Sequence, residues 1–214
     1  MKNICVITGS RAEYGILKGL INEISINEKL NLILFVTGTH LEEKYGNTYQ
    51  EIENDNFTIN KKIPMNLSGD KPKDILISMS IEMKIMAEAF EKNNIDMVFI
   101  PGDRYEILVA AQVALLYNIP ILHLGGGDIT EGAYDDSIRN AISKMAKYHF
   151  VTCESSKRNL INMNIQKEKI LKWLHENNYI DATLCLLKDE ENIIIEDNIL
   201  KPTKSIMEKL FLSI

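Results

Sequence analysis

The sequence has few cysteines, and those it has stand alone. Cys5, Cys153 and Cys185 lie singly in apolar surroundings, and no two of them form a CxxC pair. This spacing excludes a cysteine-based zinc site and a disulfide framework, because both need thiols at short or regular intervals. We therefore expect buried thiols in the reducing environment of the cytoplasm.

Basic residues are outnumbered by acidic ones, and long apolar runs are missing. The chain carries 24 Lys and Arg against 30 Asp and Glu, with a net charge of −6 and a pI near 5.3. Without a basic stripe to neutralise a phosphate backbone, binding of nucleic acid is excluded. No window approaches the roughly 20 apolar residues of a membrane span, and the chain opens on a strand pattern. We expect a cytoplasmic protein with no membrane association.

Glycine is missing from the C-terminal part of the chain, where Gly132 is the last of 11 glycines. A nucleotide-binding lobe needs tight turns and phosphate loops, for which glycine is the default residue. Residues 166–214 are too short and too poor in glycine to form such a lobe. We expect an atypical, mostly helical tail there, with a helix over 173–187, a short strand at 192–196 and an amphipathic stretch after Pro202.

Residues 1–165, in contrast, alternate buried strands with amphipathic helices. The predicted strands are 3–8, 30–37, 57–63, 97–100, 119–124 and 149–153, and the predicted helices are 14–24, 74–92, 105–117, 135–147 and 154–163. This alternation favours a doubly wound, parallel, Rossmann-like α/β sheet, because right-handed crossovers place helices on both of its faces. We predict one such lobe over residues 1–165.

The loops after the first two strands carry the first polar candidates. Gly9-Ser10-Arg11 leads from a strand into a helix, where backbone N–H groups and Arg11 are suited to bind an anion. The loop lacks the GxGxxG spacing, so dinucleotide binding is not indicated, and a plain turn with a solvated arginine is the alternative. His40 ends the second strand, and a lone histidine there is more often structural than functional.

The segment Pro101-Gly102-Asp103-Arg104 is a stronger candidate. Gly102 allows a sharp turn after the strand, and Asp103 stands where the next helix needs an N-cap. One interpretation is that Asp103 only caps the helix. The other is that its carboxylate serves as a base or orients one, while Arg104 clamps a diphosphate.

A third polar turn follows the fifth strand. His123 occupies the last strand position, and the glycines that follow, including Gly126 and Gly127, allow a ligand to approach the backbone before Asp128. Because the carboxyl ends of parallel strands share one edge of a sheet, we expect these turns to meet there. Together they predict an enzyme that handles a phosphorylated or nucleotide-linked sugar.

The next helix begins with two acids, Asp135 and Asp136, and carries Arg139 one turn later. The acids match the helix dipole, which accounts for them without any function. The alternative is that they belong to the same site as the polar turns after the first, fourth and fifth predicted strands.

In order along the chain, these segments closely resemble the hydrolysing UDP-N-acetylglucosamine 2-epimerases of sialic-acid-type sugar biosynthesis. The matching segments are GSRAEYG (9–15), VTGTH (36–40), PGDR (101–104), HLGGGD (123–128), DDSIR (135–139) and AISK (141–144). The resemblance covers about residues 1–165. It implies the N-terminal lobe of a two-lobed, glycosyltransferase-B-like enzyme and a homodimer, with no metal or redox cofactor.

The resemblance also implies a reaction. UDP is eliminated from a UDP-sugar substrate to leave a glycal, and water then adds at C1 with inversion at C2. The products are UDP and N-acetylmannosamine or a 2,4-diacetamido relative.

Residue roles follow from the same resemblance. Asp103 and Asp135 match catalytic carboxylates, and a third acid falls at Gly125 in some members and at Asp128 in others. The acid that removes the C2 proton is therefore Asp103, Asp128 or Asp135. The substrate-binding residues expected are Arg11, His40, Arg104, His123, Gly126, Gly127, Asp136 and Arg139.

The C-terminal part of the chain departs from the family. In that family the second lobe holds the uridine and supplies a catalytic histidine. Nothing in 166–214 of this chain matches that lobe. Two readings stay open: an epimerase impaired by truncation, and a non-catalytic remnant or sugar-nucleotide-binding module with the same fold. A generic phosphosugar-binding α/β protein is a third.

Overall fold

The computed structural model describes residues 1–130, 134–176 and 179–183, with side chains over 1–130 and 134–171. Within these residues, eight strands form one sheet. The strands are β1 (Lys2–Thr8), β2 (Leu30–Val36), β3 (Lys61–Lys62), β4 (Met97–Pro101), β5 (Ile121–Leu124), β6 (Tyr148–Val151), β7 (Ile170–Glu176) and β8 (Tyr179–Thr183). The α-helices are α1 (Arg11–Ser25), α2 (Tyr49–Asn54), α3 (Pro72–Lys92), α4 (Tyr105–Leu116), α5 (Asp135–Met145) and α6 (Glu154–Asn162), and short 3-10 helices span Gly38–Leu41, Glu43–Tyr45 and Lys167–Lys169.

The strand order, β3-β2-β1-β4-β5-β6-β7-β8, confirms the predicted doubly wound sheet. Strands β1 to β7 run parallel, and β8 pairs antiparallel with β7. From β1 the chain moves outward to β3, then crosses to β4 on the other side of β1 and continues outward. Sheets of this kind bind ligands at the carboxyl ends of the strands where the order reverses. Here that point lies between β1 and β4.

The side chains of β1 show how both faces of the sheet are covered. Ile4 and Val6 pack into one cluster with the apolar stripe of α1, whereas Cys5 and Ile7 pack into another with α3 and α4. Successive strand residues point to opposite faces, so a strand between two helical layers must be apolar at every position. This requirement explains the uninterrupted apolar run of the sequence.

Helix α1 begins at Arg11, earlier than the predicted start at Tyr14. A capping box holds this end: the Ser10 hydroxyl accepts from the N–H of Glu13 at 3.4 Å, and the Glu13 carboxylate accepts from the N–H of Ser10 at 3.1 Å. The first turn is polar, so apolar periodicity alone does not reveal it. The capping box places Glu13 at the carboxyl edge of the sheet.

The helix predicted over 173–187 is wrong in its described part. Residues Ile170–Glu176 form β7, which extends the sheet parallel to β6, and Tyr179–Thr183 returns as β8. Pairing with β6 satisfies the backbone groups of the segment, and this tertiary context overrides its helical propensity. The division of the chain at residue 165 stays a prediction, although the sheet itself continues past it. The predicted strand at 192–196 and the stretch after Pro202 lie outside the described residues.

Smaller differences concern the segment before α3. The predicted strand over 57–63 is reduced to the two residues of β3, and α2 was not predicted. A two-residue strand lies at the edge of the sheet, where only one side is paired, so its pattern is weak.

The sequence predicted buried cysteines, and the structure agrees with this for one of them and not for another. Cys5 is buried as expected, but Cys153 is exposed, so the prediction of a buried thiol there is wrong. Cys153 directly precedes α6 at the carboxyl edge, beyond the core that covers β6. Cys185 lies outside the described residues. No helix in the described parts of the chain is long and apolar enough to cross a membrane.

Candidate active site

A cleft of about 360 Å³ opens at the carboxyl edge of the sheet, beside the reversal of strand order. Three segments line it: the start of α1, the loop between β4 and α4, and the start of α5. The lining residues are Ser10, Ala12, Glu13, Gly102, Asp103, Arg104, Tyr105, Tyr134 and Asp135. The cleft thus joins segments that are far apart in the sequence.

The loop after β4 is held in a defined shape. Gly102 adopts a left-handed conformation with φ of 72°, which favours glycine. Its N–H donates to the carbonyl of Leu124 at 2.8 Å, and its carbonyl accepts from Nε2 of His123 at 2.7 Å. Both contacts come from β5, so the next residue, Asp103, is presented to the cleft from a fixed backbone.

Asp103 does not cap α4, so that sequence interpretation is wrong. The helix begins at Tyr105, Arg104 occupies the N-cap position, and no side chain of the described residues caps it. The Asp103 carboxylate instead accepts a hydrogen bond from Nη2 of Arg139. Burial raises the pKa of Asp103, and the Arg139 guanidinium opposes this shift without cancelling it. A carboxylate with a raised pKa is a better base than an ordinary aspartate.

Arg139 joins three segments around this carboxylate. Besides Asp103, its guanidinium donates to the carbonyl of Asp128 at 2.7 Å and to the hydroxyl of Thr130 at 2.9 Å. Asp136 lies within 3.4 Å and also accepts from the N–H of Thr130 at 2.9 Å. The Arg139 side chain is only 8% exposed. Arg139 and Asp136 therefore brace the loops of the site from behind.

A group of buried acids lies beneath the cleft. Glu106, at the start of α4, is fully buried and accepts from Nε of Arg104, while its second oxygen has no hydrogen-bond partner among the described residues. Burial raises the pKa of Glu106 against the effect of Arg104. Glu82 of α3 is also buried, one of its oxygens finds no partner in the part of the chain that the structure describes, and burial raises its pKa too. Among the described residues, no cluster of three or more acidic, histidine or cysteine side chains is arranged to hold a metal ion.

Glu13 is a cleft residue to which sequence reasoning assigned no role. Its Oε2 accepts from the N–H groups of Gly9 at 2.6 Å and Ser10 at 3.1 Å. Burial and the nearby Glu106 raise the pKa of Glu13 to about 8. The spacing Ser10-x-x-Glu13 in front of an apolar run was the available signal, because it is typical of a capping box.

The family model described as UDP-N-acetylglucosamine 2-epimerase matches residues 22–210. The chain belongs to this family. The epimerase family model thus includes the loops after β4 and β5 and the start of α5, which surround the cleft.

Individual epimerases agree with this assignment. The chain is 43% identical over 169 residues to the GDP/UDP-N,N'-diacetylbacillosamine 2-epimerase (hydrolyzing) of Campylobacter jejuni, covering 79% of this chain and 44% of that protein. It is 38% identical to the UDP-N,N'-diacetylbacillosamine 2-epimerase (hydrolyzing) of Legionella pneumophila, covering 80% of this chain and 45% of that one. The crystal structure of the UDP-GlcNAc 2-epimerase of Neisseria meningitidis, bound to UDP-GlcNAc, superposes with a TM-score of 0.67 at 22% identity, covering 79% of this chain and 46% of that chain. The chain spans less than half the length of these epimerases.

Of the three acids considered for proton removal, two line the cleft. Asp103 and Asp135 face it from different loops, whereas Asp128 is not among its described lining residues. The Asp128 carboxylate accepts hydrogen bonds from Thr152 at 3.2 Å and from Ser156. The structure brings Asp103 and Asp135 together and gives Asp128 a contact with the start of α6.

Of the two arginines predicted to bind phosphate, one lines the cleft. Arg104 does so, with its side chain 40% exposed. Arg11 is 72% exposed and pairs with Glu51 of α2 at 2.9 Å, although its neighbours Ser10 and Ala12 line the cleft. The structure therefore supports Arg104 more directly than Arg11.

The two predicted histidines are buried and hydrogen-bonded. His40 contacts the hydroxyls of Thr8 at 3.1 Å and Thr48 at 2.8 Å, and burial lowers its pKa to about 4. His123 donates from Nε2 to a carbonyl, so its Nδ1 is the acceptor facing Ser143 at 3.2 Å. Burial lowers the pKa of His123 to about 4 as well. Both imidazoles are neutral at physiological pH and shape the loops from within.

The predicted ligand-approach glycines are explained by packing within the protein. A Cβ on Gly126 would lie 2.9 Å from the hydroxyl of Ser143, and a Cβ on Gly127 would lie 2.3 Å from the carbonyl of Ser156. Gly127 also has a left-handed φ of 79°. The close approach that requires glycine here is that of α5 and α6 to the loop.

Proposed function

We propose that this chain performs the sugar chemistry of a hydrolysing UDP-N-acetylglucosamine 2-epimerase. The observation that carries the proposal is the cleft itself, where two carboxylates from different loops, Asp103 and Asp135, accompany a partly exposed arginine, Arg104. The names of the relatives are consistent with it, since two are hydrolysing epimerases of amino sugars and a structural neighbour is bound to UDP-GlcNAc.

The reaction needs two proton-transfer groups at one site. A base removes the proton at C2 while the bond between C1 and the UDP oxygen breaks, which gives a glycal and UDP. Water then adds across the double bond, placing a hydroxyl at C1 and a proton at C2 from the opposite face. The net products are UDP and N-acetylmannosamine or a 2,4-diacetamido relative. Two acids at one cleft are what inversion at C2 requires.

Asp103 is the stronger candidate for the base. It stands on a loop fixed by β5, and burial raises its pKa despite Arg139, so it is matched to accepting a proton. Asp135, on the wall formed by α5, is then the second carboxylate. Asp128 stays a prediction from the family resemblance.

Arg104 is proposed to hold the diphosphate. Its Nε is committed to Glu106, which restrains the plane of the guanidinium, and the residue itself lines the cleft. A planar guanidinium binds phosphate oxygens through two parallel hydrogen bonds. Glu106 thus acts as a buried positioning residue.

The wider context also stays a proposal: a lobe over 1–165, a tail over 166–214, a cytoplasmic location and a role in sialic-acid-type sugar synthesis. A homodimer is also proposed, from the family resemblance. Helices α3 and α4 pack side by side and expose large apolar residues. These residues are Leu76, Ile77, Met83, Leu115 and Leu116. Contiguous apolar patches, rather than separate exposed residues, are typical of interfaces, so the dimer rests on the family resemblance, and light scattering on the purified chain tests it.

The test is release of UDP from UDP-N-acetylglucosamine by the purified chain, compared with Asp103→Asn and with Asp70→Asn as an exposed control. We expect the first variant to lose at least about 100-fold in rate, as loss of a general base does, and the control to match the wild type. Equal rates for the wild type and Asp103→Asn contradict the proposal. If all three are silent while UDP-N-acetylglucosamine binds, the chain is a sugar-nucleotide-binding module.

A further inference from the structure

The two oxygens of Glu13 have different surroundings. Oε2 is fixed by the N–H groups of Gly9 and Ser10. Oε1 makes no hydrogen bond within the described residues, and it lies 3.8 Å from where a Cβ on Gly102, another lining residue of the cleft, would stand. The residue as a whole is only 8% exposed. One oxygen is therefore anchored in the loop, and the other faces the cleft.

Charged groups from several elements surround Glu13. Glu106 of α4 and Glu82 of α3 repel its charge, whereas Arg104 attracts it. Asp103 and Asp135 also line the cleft. Burial and Glu106 together outweigh Arg104 and the two N–H groups, and the pKa of Glu13 rises to about 8.

The hydrogen bonds decide where the proton of the neutral acid lies. Because Oε2 already accepts from two N–H groups, the proton belongs on Oε1. The cleft wall at Glu13 is then an O–H donor at neutral pH. A donor in this position suits a ligand oxygen, and an ionised carboxylate in the same position would repel an anion.

We propose that Glu13 is a substrate-contacting residue, whose neutral carboxyl group donates a hydrogen bond from Oε1 to an oxygen of the bound diphosphate. This inference rests on the proposed function. The diphosphate is the favoured part of the ligand because Glu13 stands in the first turn of α1, where the helix dipole attracts anions, beside Arg104. No proton transfer is required.

The experiment measures the affinity of the 214-residue chain for UDP-N-acetylglucosamine by calorimetry at about pH 6.5 and about pH 8.5. If only the neutral form of Glu13 binds, the wild-type affinity falls about fourfold, following the neutral fraction of the residue. In Glu13→Gln, the amide oxygen replaces Oε2 and the NH₂ group donates to the cleft at every pH. We expect this variant to lose the pH dependence.

Two controls isolate Glu13 from other titrating groups. Glu91→Gln removes an exposed acid of α3, and Cys153→Ser removes the exposed thiol, whose pKa hydrogen bonds from Ser155 and Ser156 lower to about 7. Both variants should show the same change of affinity with pH as the wild type. Any titration of the ligand contributes equally to all of these measurements.

The outcomes separate this inference from the proposed function. If the affinity of Glu13→Gln falls with rising pH as steeply as that of the wild type, the inference is overturned and the proposed function still stands. Absence of UDP-N-acetylglucosamine binding in the wild type overturns both. If Glu13→Gln does not fold, the wild-type profile decides, and a constant affinity overturns the inference.

Discussion

Arg139 of α5 donates a hydrogen bond to the carboxylate of Asp103, which stands 36 positions earlier in the chain. The contact ties the start of α5 to the loop after β4, and both segments line the cleft. Arg139 is a clamp on the candidate base, and the geometry of the site depends on it.

Arg139→Met should destabilise the fold by roughly 3 kcal/mol, because removing one partner leaves the other charge largely buried and uncompensated. Urea unfolding of the wild type, Arg139→Met, Asp103→Asn and the double variant measures this effect. We expect the double variant to be less destabilised than the sum of the single variants, since the two side chains interact directly. Strictly additive effects contradict the clamp.

The stability of the fold should contain a contribution from Glu13 that declines between about pH 6.5 and pH 8. Its pKa is raised to about 8 by burial and by Glu106, whereas the ordinary value is 4.5. The folded chain therefore keeps a proton that the unfolded chain has released, and this stabilisation is lost as pH rises through the folded pKa. The slope from one group is at most about 1.4 kcal/mol per pH unit.

The measurement is the difference in unfolding free energy between the wild type and Glu13→Gln across this range. The range avoids the buried histidines, whose lowered pKa values affect stability below about pH 6.5. As pH rises, the wild type should lose stability relative to Glu13→Gln. A difference that stays constant contradicts the raised pKa of Glu13.

Gly127→Ala should destabilise the fold by at least about 1–3 kcal/mol, the usual range for backbone strain. The new Cβ would lie 2.3 Å from the carbonyl of Ser156, at a residue whose φ is 79°. Gly15→Ala is the matched control, because, apart from α1's own backbone and chain neighbours, no described atom lies within 4 Å of its Cβ position. This control should gain about 0.5–1 kcal/mol from helix propensity. Thermal unfolding compares the two, and equal effects contradict the packing argument.

Cys153 should react with iodoacetamide at neutral pH much faster than the buried Cys5. Hydrogen bonds from Ser155 and Ser156 lower the pKa of Cys153 to about 7, and the thiolate is the reactive form. Peptide-level mass spectrometry follows each thiol separately. Ser155→Ala should slow the reaction of Cys153 several-fold, and an unchanged rate would show that the hydroxyl does not stabilise the thiolate.

The sheet was predictable because its signals are local. The apolar run of β1 and the polar turn at Pro101-Gly102-Asp103 can each be recognised within a few residues. Since parallel strands end at one edge, the turns could also be expected to meet there. The prediction that Asp103 and Asp135 share a site with Arg104 followed from these signals together with the family resemblance.

The rest depends on contacts between distant residues. The partner of Asp103 is Arg139, whose sequence neighbourhood offers no hint of this pairing. The pKa of Glu13 is raised by burial and by Glu106, which follows much later in the chain. Strands β7 and β8 form because the edge of β6 is open to pairing. The apolar periodicity of these two strands carries no information about that edge.

The opposite edge of the sheet has a consequence for solubility. β3 consists of Lys61 and Lys62 alone, both exposed, and Lys62 pairs with Glu53 at 2.8 Å and covers the ring of Tyr49. A second molecule approaching this side meets only two rungs of unpaired backbone, each bearing a cation. The fold therefore discourages edge-to-edge stacking into aggregates, a safeguard that short, lysine-bearing border strands provide.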